Sequence, residues 1–321
     1  NAKSPATDAE PPAPGWVRPA MRLVGWMPWR LRWWIARVAT AVTSRRRTRT
    51  HIARANLDIA FGDTLSDAEK DRIARLSLVS LVGCMLDAVA IIPRLNAKNW
   101  SRHVKVSQAD IDALHAELAR GKGALVMFSH YGNWELMGAC MSFMGNPRSN
   151  VVAKRQPGWT NALIEALRTW TGNAVIYKEG AAMASLRALR RGEIVGLSID
   201  QNYSGGIFVP FFGVPAGTPD TLAALARASG APIVPLVCTP NGDGTYTGRF
   251  PPAIHADHTA DKAGDIARTT TRCLASLEDI IRERPEMWMW GHKRWKSRPP
   301  GEEARQDPYA APPAPRAAAA H

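Results

Sequence analysis

The stretch Ala124-Leu125-Val126-Met127-Phe128-Ser129-His130-Tyr131-Gly132-Asn133-Trp134-Glu135-Leu136-Met137-Gly138 decides how the chain is read. Its first five residues form an unbroken apolar run with the length and continuity of a strand buried on both faces. Beyond the glycine, Trp134, Met137, Gly138 and Met141 recur at helical spacing. His130 therefore falls where a strand hands over to a helix, the place where α/β folds build their clefts. Five residues along a regular helix turn through about 140° net of a full turn, so His130 and Glu135 diverge if both are helical. They meet only if His130 lies outside the helix, Gly132 absorbs the bend, and Glu135 occupies the first turn, where the helix dipole favours a carboxylate. So arranged, Glu135 fixes the imidazole tautomer while the other ring nitrogen takes a proton from a hydroxyl. The spacing alone carries little weight, because a chain with 8 His and 28 acidic residues produces it readily by chance. The strand-to-helix context is what gives it meaning.

Outward from this stretch, apolar runs alternate with helical patterns. Strands are expected at 150–154, 174–177, 194–199, 207–211 and 233–238, and helices at 159–170, 181–191 and 221–229. An edge strand is expected at 245–250 and a closing amphipathic helix at 266–281. The alternation predicts an α/β fold: a mixed, largely parallel central sheet flanked by helices. Upstream, Ser66 and Glu69 form a capping box that opens a long helix. That helix is almost entirely apolar from Leu76 to Ile92, with Asp87 inside it. It reads as a buried helix with one face toward lipid or an acyl chain.

With 321 residues and 45% hydrophobic content, the chain supports one large domain with appendages. The expected divisions are a disordered 1–14, a basic membrane-interface segment at 15–54, a main domain at 55–299 and a disordered Pro/Ala-rich tail at 300–321. The 4 cysteines contain no Cys-x-x-Cys pair and read as buried reduced thiols. A formal charge of +13 calls for an acidic partner. Residues 15–50 supply one answer. Leu23, Met27, Leu31, Ile35, Val38 and Val42 form a stripe at helical spacing, with Trp26, Trp29, Trp33 and Trp34 interleaved. Arg18, Arg22, Arg30 and Arg37 flank it, and Arg45, Arg46, Arg47, Arg49 and Arg54 extend the basic surface. So many arginines argue against a bilayer-crossing helix and for an amphipathic helix lying in the membrane interface. No DNA- or RNA-binding motif accompanies it, so nucleic acid is not expected as a partner.

Charged groups follow other strands: Lys154-Arg155, Glu179-Gly180 and Asp200-Gln201-Asn202. With His130 and Glu135 they make a cleft holding a base, a carboxylate and cations. There is no Gly-x-Ser-x-Gly elbow, so direct transfer to a hydroxyl is expected and no covalent intermediate. Arg155 and Arg168 are candidates to stabilise an oxyanion or bind an acceptor phosphate.

The run from Ser129 to Glu135 resembles the His-x4-Asp/Glu motif of the glycerolipid acyltransferase superfamily, in the form carried by the late acyltransferases of lipid A biosynthesis. Further similar stretches are Asp200-Gln201, Phe208 to Gly213, Leu225 to Arg227 before Ala231 to Pro235, Trp288 to Pro299, and Ile52 to Leu57. Mycobacterial mannoside acyltransferases share parts of the pattern. The turn Asn202 to Gly206 is richer in glycine than the family's, and the N-terminal segment richer in arginine. The resemblance implies transfer of a fatty acyl group from acyl carrier protein to a hydroxyl of a lipid A precursor. It places the enzyme at the cytoplasmic face of a bacterial inner membrane, peripheral or monotopic, with an anionic membrane lipid as acceptor. His130 and Glu135 are then catalytic, Asn133, Arg155, Arg168, Asp200 and Gln201 bind substrate, and no metal or organic cofactor is implied. Two rival readings are a metal-dependent hydrolase using His255-x-x-His258 with Asp257 and Asp261, and a non-catalytic membrane or nucleic-acid binder.

Overall fold

The structure is a computed structural model that describes residues 15–44, 48–302 and 308–309. Residues 1–14 and the arginines at 45–47 lie outside the described residues, as do the side chains of Arg18 and Arg49. The basic N-terminal segment, expected as one helix, is two: α1 (Val17–Trp26) and α2 (Trp29–Ser44). Pro28 has no N–H to continue the ladder and pushes the preceding residue out of the helical region, and Met27 is extended at φ −69°, ψ 131°. Next come α3 (Thr48–Phe61) and the long α4 (Asp67–Ile91). Ser66 and Glu69 cap α4 reciprocally, as the sequence predicts.

α4 is long and apolar enough to cross a membrane. In the fold α1, α2 and α3 pack along it, and Ser77, Ser80, Gly83 and Asp87 are buried. Asp87 is tied by the Nε of Arg32 at 2.5 Å, the indole N–H of Trp33 at 2.9 Å and the hydroxyl of Tyr246 at 2.5 Å. The N-terminal segment is thus stapled to the main body through a buried ion pair, and Val17, Met21 and Ala36 belong to the core. Arg54 does not extend the basic surface: it is ion-paired with Asp58, Asp67 and Asp71.

After α5 (Trp100–His103), β1 (Val104–Val106) and α6 (Gln108–Leu118), the central α/β unit begins. It runs β2 (Ala124–Phe128), α7 (Trp134–Met141), β3 (Ser149–Ala153), α8 (Trp159–Thr169), β4 (Ala174–Tyr177), α9 (Ala181–Arg190) and β5 (Ile194–Ser198). Then follow β6 (Ile207–Phe211), β7 (Val214–Thr218), α10 (Thr221–Ser229), β8 (Ile233–Pro235), β9 (Val237–Pro240), β10 (Tyr246–Arg249) and α11 (Lys262–Glu283). The main sheet has five strands in the order β4-β3-β5-β2-β8, all parallel. β2 is buried along its whole length. Leu125 and Met127 join the core on one face, and Ala124, Val126 and Phe128 join the core on the other, which is why its apolar run shows no alternation.

Three sequence expectations change. The run 233–238 is two strands in different sheets, because the chain leaves β8 at Leu236, whose N–H donates to the carbonyl of Met127. The strand at 246–249 is the middle of the order β1-β10-β9 and not an edge. β6 pairs with β7 in a separate hairpin outside the parallel sheet. That hairpin packs on α11 and on Trp288 and Trp295, which with Trp290 are fully buried and face the core. Tyr309, within the tail expected to be disordered, is also buried, its hydroxyl donating to Asn56 at 2.6 Å and accepting from the Trp295 N–H at 2.8 Å.

Candidate active site

His130 stands just beyond the C-terminal end of β2. The turn that carries it closes on Gly132, at φ +59°, where an added Cβ would come within 2.0 Å of the Cys238 carbonyl oxygen. Only glycine fits that approach. The turn is held from several sides: the Gly132 N–H donates to Met287, the Asn133 N–H to Cys238, and the Met289 N–H to the carbonyl of His130. Glu135 falls in the first turn of α7, as the spacing predicts.

The carboxylate that holds the imidazole is nevertheless Asp200 and not Glu135. The Nδ1 of His130 lies 3.0 Å from Asp200 Oδ1, and the His130 backbone N–H donates to Oδ2 at 2.8 Å. The Trp288 indole N–H donates to the same Oδ2 at 3.0 Å. Strand register is the cause. β2 and β5 are parallel neighbours with Phe128 opposite Ser198, so the residues two places beyond each strand emerge side by side. Glu135 is engaged elsewhere. Arg168 grips it with Nε at 3.0 Å and 3.1 Å and with Nη2 at 2.6 Å, and the Trp134 indole N–H donates to it at 3.0 Å. The Trp134 ring meets the imidazole edge-on at 5.0 Å.

The electrostatics follow from this placement. Burial drives the Asp200 carboxyl up, but the imidazole beside it and the three donors outweigh that, and it is held down at about 2. Asp200 therefore stays ionised and can only accept. Nδ1 must carry the proton, and in neutral His130 the lone pair sits on Nε2. Burial alone lowers the imidazole pKa, yet the Asp200 charge and hydrogen bond, with the Glu135 charge behind them, raise it above the ordinary histidine value.

Nε2 faces a cavity of about 650 Å³ beside Gln201, whose amide nitrogen is 3.4 Å from it. Leu81 and Met85 of α4 form part of the wall, so the long apolar helix does turn a face toward the site. Lys154, Arg168 and Lys178 bring positive charge to the same cavity, and Glu135 is on its lining. The Glu135–Arg168 pair also borders a smaller apolar recess lined by Val126, Met141 and Leu236. Arg168 Nη1 makes no hydrogen bond among the described residues.

Of the residues expected to bind substrate, Arg168 and Gln201 line the cavity and Asp200 sits behind the imidazole. Asn133 does not line it. It is fully buried, accepting from the Leu136 N–H as the cap of α7 and donating to the Cys84 carbonyl, so it offers no surface to a ligand. Arg155 stacks on Tyr177, 3.8 Å from the ring centroid, while its neighbours Lys154 and Gln156 form the lining. Trp288, absent from the expected site, joins it in the structure by donating its indole N–H to Asp200. The signal for it was the dense aromatic and basic run that follows α11, Trp288 to Pro299. All four cysteines are buried free thiols, and burial pushes each pKa up, Cys140 and Cys273 to about 12. None is an activated nucleophile. His255 pairs with Glu117, and Asp257 with Arg268 and Arg272. Among the described residues, no group of three or more metal-binding side chains converges.

This geometry can be set beside known proteins. The chain is 28% identical over 268 residues to a lipid A biosynthesis lauroyltransferase of Escherichia coli, covering 80% of this chain and 82% of that one. It is 25% identical to a lipid A biosynthesis palmitoleoyltransferase of the same organism, covering 79% and 81%. A phosphatidylinositol mannoside acyltransferase of Mycobacterium tuberculosis is 25% identical over 209 residues, 64% of each chain. A family profile described as bacterial lipid A biosynthesis acyltransferase matches residues 16–297, a span that includes His130, Glu135, Arg168, Asp200 and Trp288. The chain belongs to the bacterial lipid A biosynthesis acyltransferase family.

Proposed function

We propose that this protein is an O-acyltransferase that moves a fatty acyl group from an acyl carrier protein thioester to a hydroxyl of a lipid A precursor. The observation that carries this reading is the His130 imidazole, with Nδ1–H fixed by Asp200 and the Nε2 lone pair facing an apolar, cation-rimmed cavity. In the proposed step Nε2 removes the acceptor hydroxyl proton as the oxygen attacks the thioester carbonyl. The C–O bond forms, the tetrahedral oxyanion collapses, the C–S bond breaks, and the imidazolium returns its proton to the departing thiolate. Asp200 stabilises the imidazolium while it exists, as the carboxylate does in a Ser-His-Asp triad. Arg168, oriented by its Nε and Nη2 contacts to Glu135, has Nη1 left for the oxyanion. Glu135 then acts by aiming Arg168 and by adding negative potential at the imidazole. The inactive, buried thiols favour direct transfer over an acyl-enzyme.

The surface supports work at the cytoplasmic face of the inner membrane. α1 and α2 bury one side each and expose the other: Leu23 and Trp26 on α1, with Trp16 just before it, and Leu31, Trp34, Val38 and Val42 on α2. Exposed large apolar side chains concentrated on two adjacent helices mark an interaction surface, and Arg22, Arg30 and Arg37 among them suit anionic headgroups. The apolar track continues from Trp16 to Trp159, ring centroids 5.5 Å apart, at the start of the helix that lines the His130 cavity. A lipid acceptor in the interface thus has an apolar path to the base. The charge of +13 also suits an acidic carrier-protein donor.

The test is mass spectrometry of the lipid product formed by purified wild type and His130→Ala, with carrier-protein and coenzyme A thioesters offered separately. A folded His130→Ala protein with wild-type turnover refutes the base. Exclusive use of the coenzyme A thioester refutes the donor. A product built on mannoside and not on lipid A transfers the acceptor to the reading favoured by the mycobacterial relative.

A further inference from the structure

A second cavity, of about 370 Å³, opens where the α1–α2 turn meets the end of α4 and the short helix α5. It is remote in role from the His130 site and shares no lining residue with it. Its walls bring together Arg94, Arg102 and His103 on one side and Trp26, Pro28 and Trp29 on the other. The Arg94 guanidinium lies against the α1 backbone: a Cβ added at Gly25 would meet its Nη2 at 3.0 Å and its Cζ at 3.1 Å. A larger residue at 25 would displace the guanidinium from the pocket.

The guanidinium groups here outnumber the carboxylate on the rim. Arg32, at the back, is neutralised by Asp87. Among the described residues neither the Arg94 nor the Arg102 guanidinium has an ion pair or a hydrogen bond, and Asp243, the one carboxylate on the rim, accepts from the N–H and hydroxyl of Thr245. Burial and the three neighbouring arginines hold the His103 imidazole below its ordinary pKa, so it is a neutral hydrogen-bonding partner at neutral pH. Two forked guanidiniums beside an imidazole fit the tetrahedral oxygens of a phosphate. The apolar half of the surroundings says where that phosphate comes from. Trp26, 81% exposed, lines the pocket, and Leu23, 66% exposed, precedes it by three residues on the same face of α1. A soluble anion has no use for that face, whereas the acyl chains of a lipid do.

We infer that the Arg94–Arg102–His103 pocket binds the phosphate headgroup of an anionic glycerophospholipid, with its acyl chains lying along Leu23 and Trp26. The bound lipid is a membrane anchor and not a substrate of the His130 site. It fixes the orientation of α1 and α2 on the bilayer, and through the Arg32–Asp87 staple that of the catalytic body. This inference rests on the membrane-surface reading above.

The experiment is vesicle flotation of the full chain, with phosphatidylcholine vesicles against phosphatidylcholine mixed with phosphatidylglycerol. Variants are checked for an unchanged unfolding temperature. The pocket predicts that wild type prefers the anionic vesicles. Loss of both guanidinium charges in Arg94→Gln/Arg102→Gln should weaken that binding by about 30-fold, from ~1 kcal/mol for each arginine at the surface. The decisive variant is Arg94→Lys/Arg102→Lys, which keeps the charge and loses the forked geometry. A built site predicts a loss of about 10-fold, the order expected when bidentate contacts go, and a diffuse basic surface predicts none. Anionic selectivity unchanged in the lysine variant overturns the inference. So does thermal stabilisation by inorganic phosphate or glycerol phosphate in the absence of vesicles, which assigns the pocket to a soluble ligand. Loss of carrier-protein binding in the glutamine variant, with vesicle selectivity intact, overturns it in favour of an acidic protein partner. Leu23→Ser/Trp26→Ser separates the two readings. If it binds both vesicle types as wild type does, the membrane surface itself is misassigned. If it fails on both while the lysine variant is unaffected, only the pocket is.

Discussion

Replacing Asp200 by Asn tests the site most directly, because the structure dictates how the new amide must sit. The His130 backbone N–H and the Trp288 indole N–H both donate to Asp200 Oδ2, at 2.8 Å and 3.0 Å. In Asp200→Asn these two donors hold the amide oxygen at that position. The amide NH2 must then occupy the place of Oδ1, facing His130 Nδ1 at about the 3.0 Å now seen. Two donors cannot face each other, so Nδ1 becomes the acceptor and the ring proton moves to Nε2. The lone pair leaves the cavity and the base is lost, although hardly an atom has moved. General-base assistance is worth about 10² to 10⁴-fold, or ~2.7 to 5.5 kcal/mol at 1.36 kcal/mol per decade. The corresponding change in a Ser-His-Asp triad costs about 10⁴-fold. We expect turnover of Asp200→Asn to fall about 10³-fold at neutral pH, with an unfolding temperature close to wild type. Glu135→Gln leaves the tautomer untouched and should cost less. The assay is acyl transfer to the lipid acceptor, followed by mass, with folding checked by circular dichroism. Turnover of Asp200→Asn equal to wild type, or a smaller loss than in Glu135→Gln, refutes the assignment of Asp200 as the partner of the imidazole.

The pH profile of kcat/KM should show an acid limb above the ~6.5 of an ordinary histidine, because Asp200 raises the His130 pKa and the active form is the neutral one; activity is present above that pKa and is lost as pH falls through it, and a limb at or below 6.5 contradicts the pairing. Arg168→Lys keeps the charge but loses the fork on Glu135 and the spare Nη1, so turnover should fall by about 10²-fold, the scale of a lost oxyanion donor, as steady-state kinetics will show. Gly132→Ala forces a left-handed alanine whose Cβ meets a carbonyl oxygen at 2.0 Å; backbone strain alone costs about 1–3 kcal/mol, and denaturant unfolding should register at least that loss. Asp87→Ala leaves Arg32 buried without its partner, which should cost about 3–5 kcal/mol in the same measurement, whereas replacing both members by apolar residues of similar size should cost far less.

The sequence by itself determined whatever is written locally. The unbroken run Ala124 to Phe128 announced a strand covered on both faces, and the Ser66–Glu69 box a helix start. The expected bounds of β4, β6 and α10 match those found, because caps, turns and periodicity depend on near neighbours. Pro28 was equally legible as a helix break; the regular stripe across it concealed the signal. Gly132 was read correctly as the bend before Glu135, since only the chain's own path was at issue. Partner choice was another matter. His130 has Glu135 five places along the chain and Asp200 70 places away, and sequence proximity favoured the wrong carboxylate. Which acid reaches Nδ1 depends on β5 being the strand beside β2, in parallel register, and no local pattern encodes strand order. The same non-local pairing divided the run 233–238 between two sheets and put the strand at 246–249 in the middle of its sheet. It also brought Trp288 from beyond α11 onto the carboxylate that follows β5. Side chains that meet across the fold do so because distant segments cover one another's apolar faces, and that geometry exists only once the chain has closed.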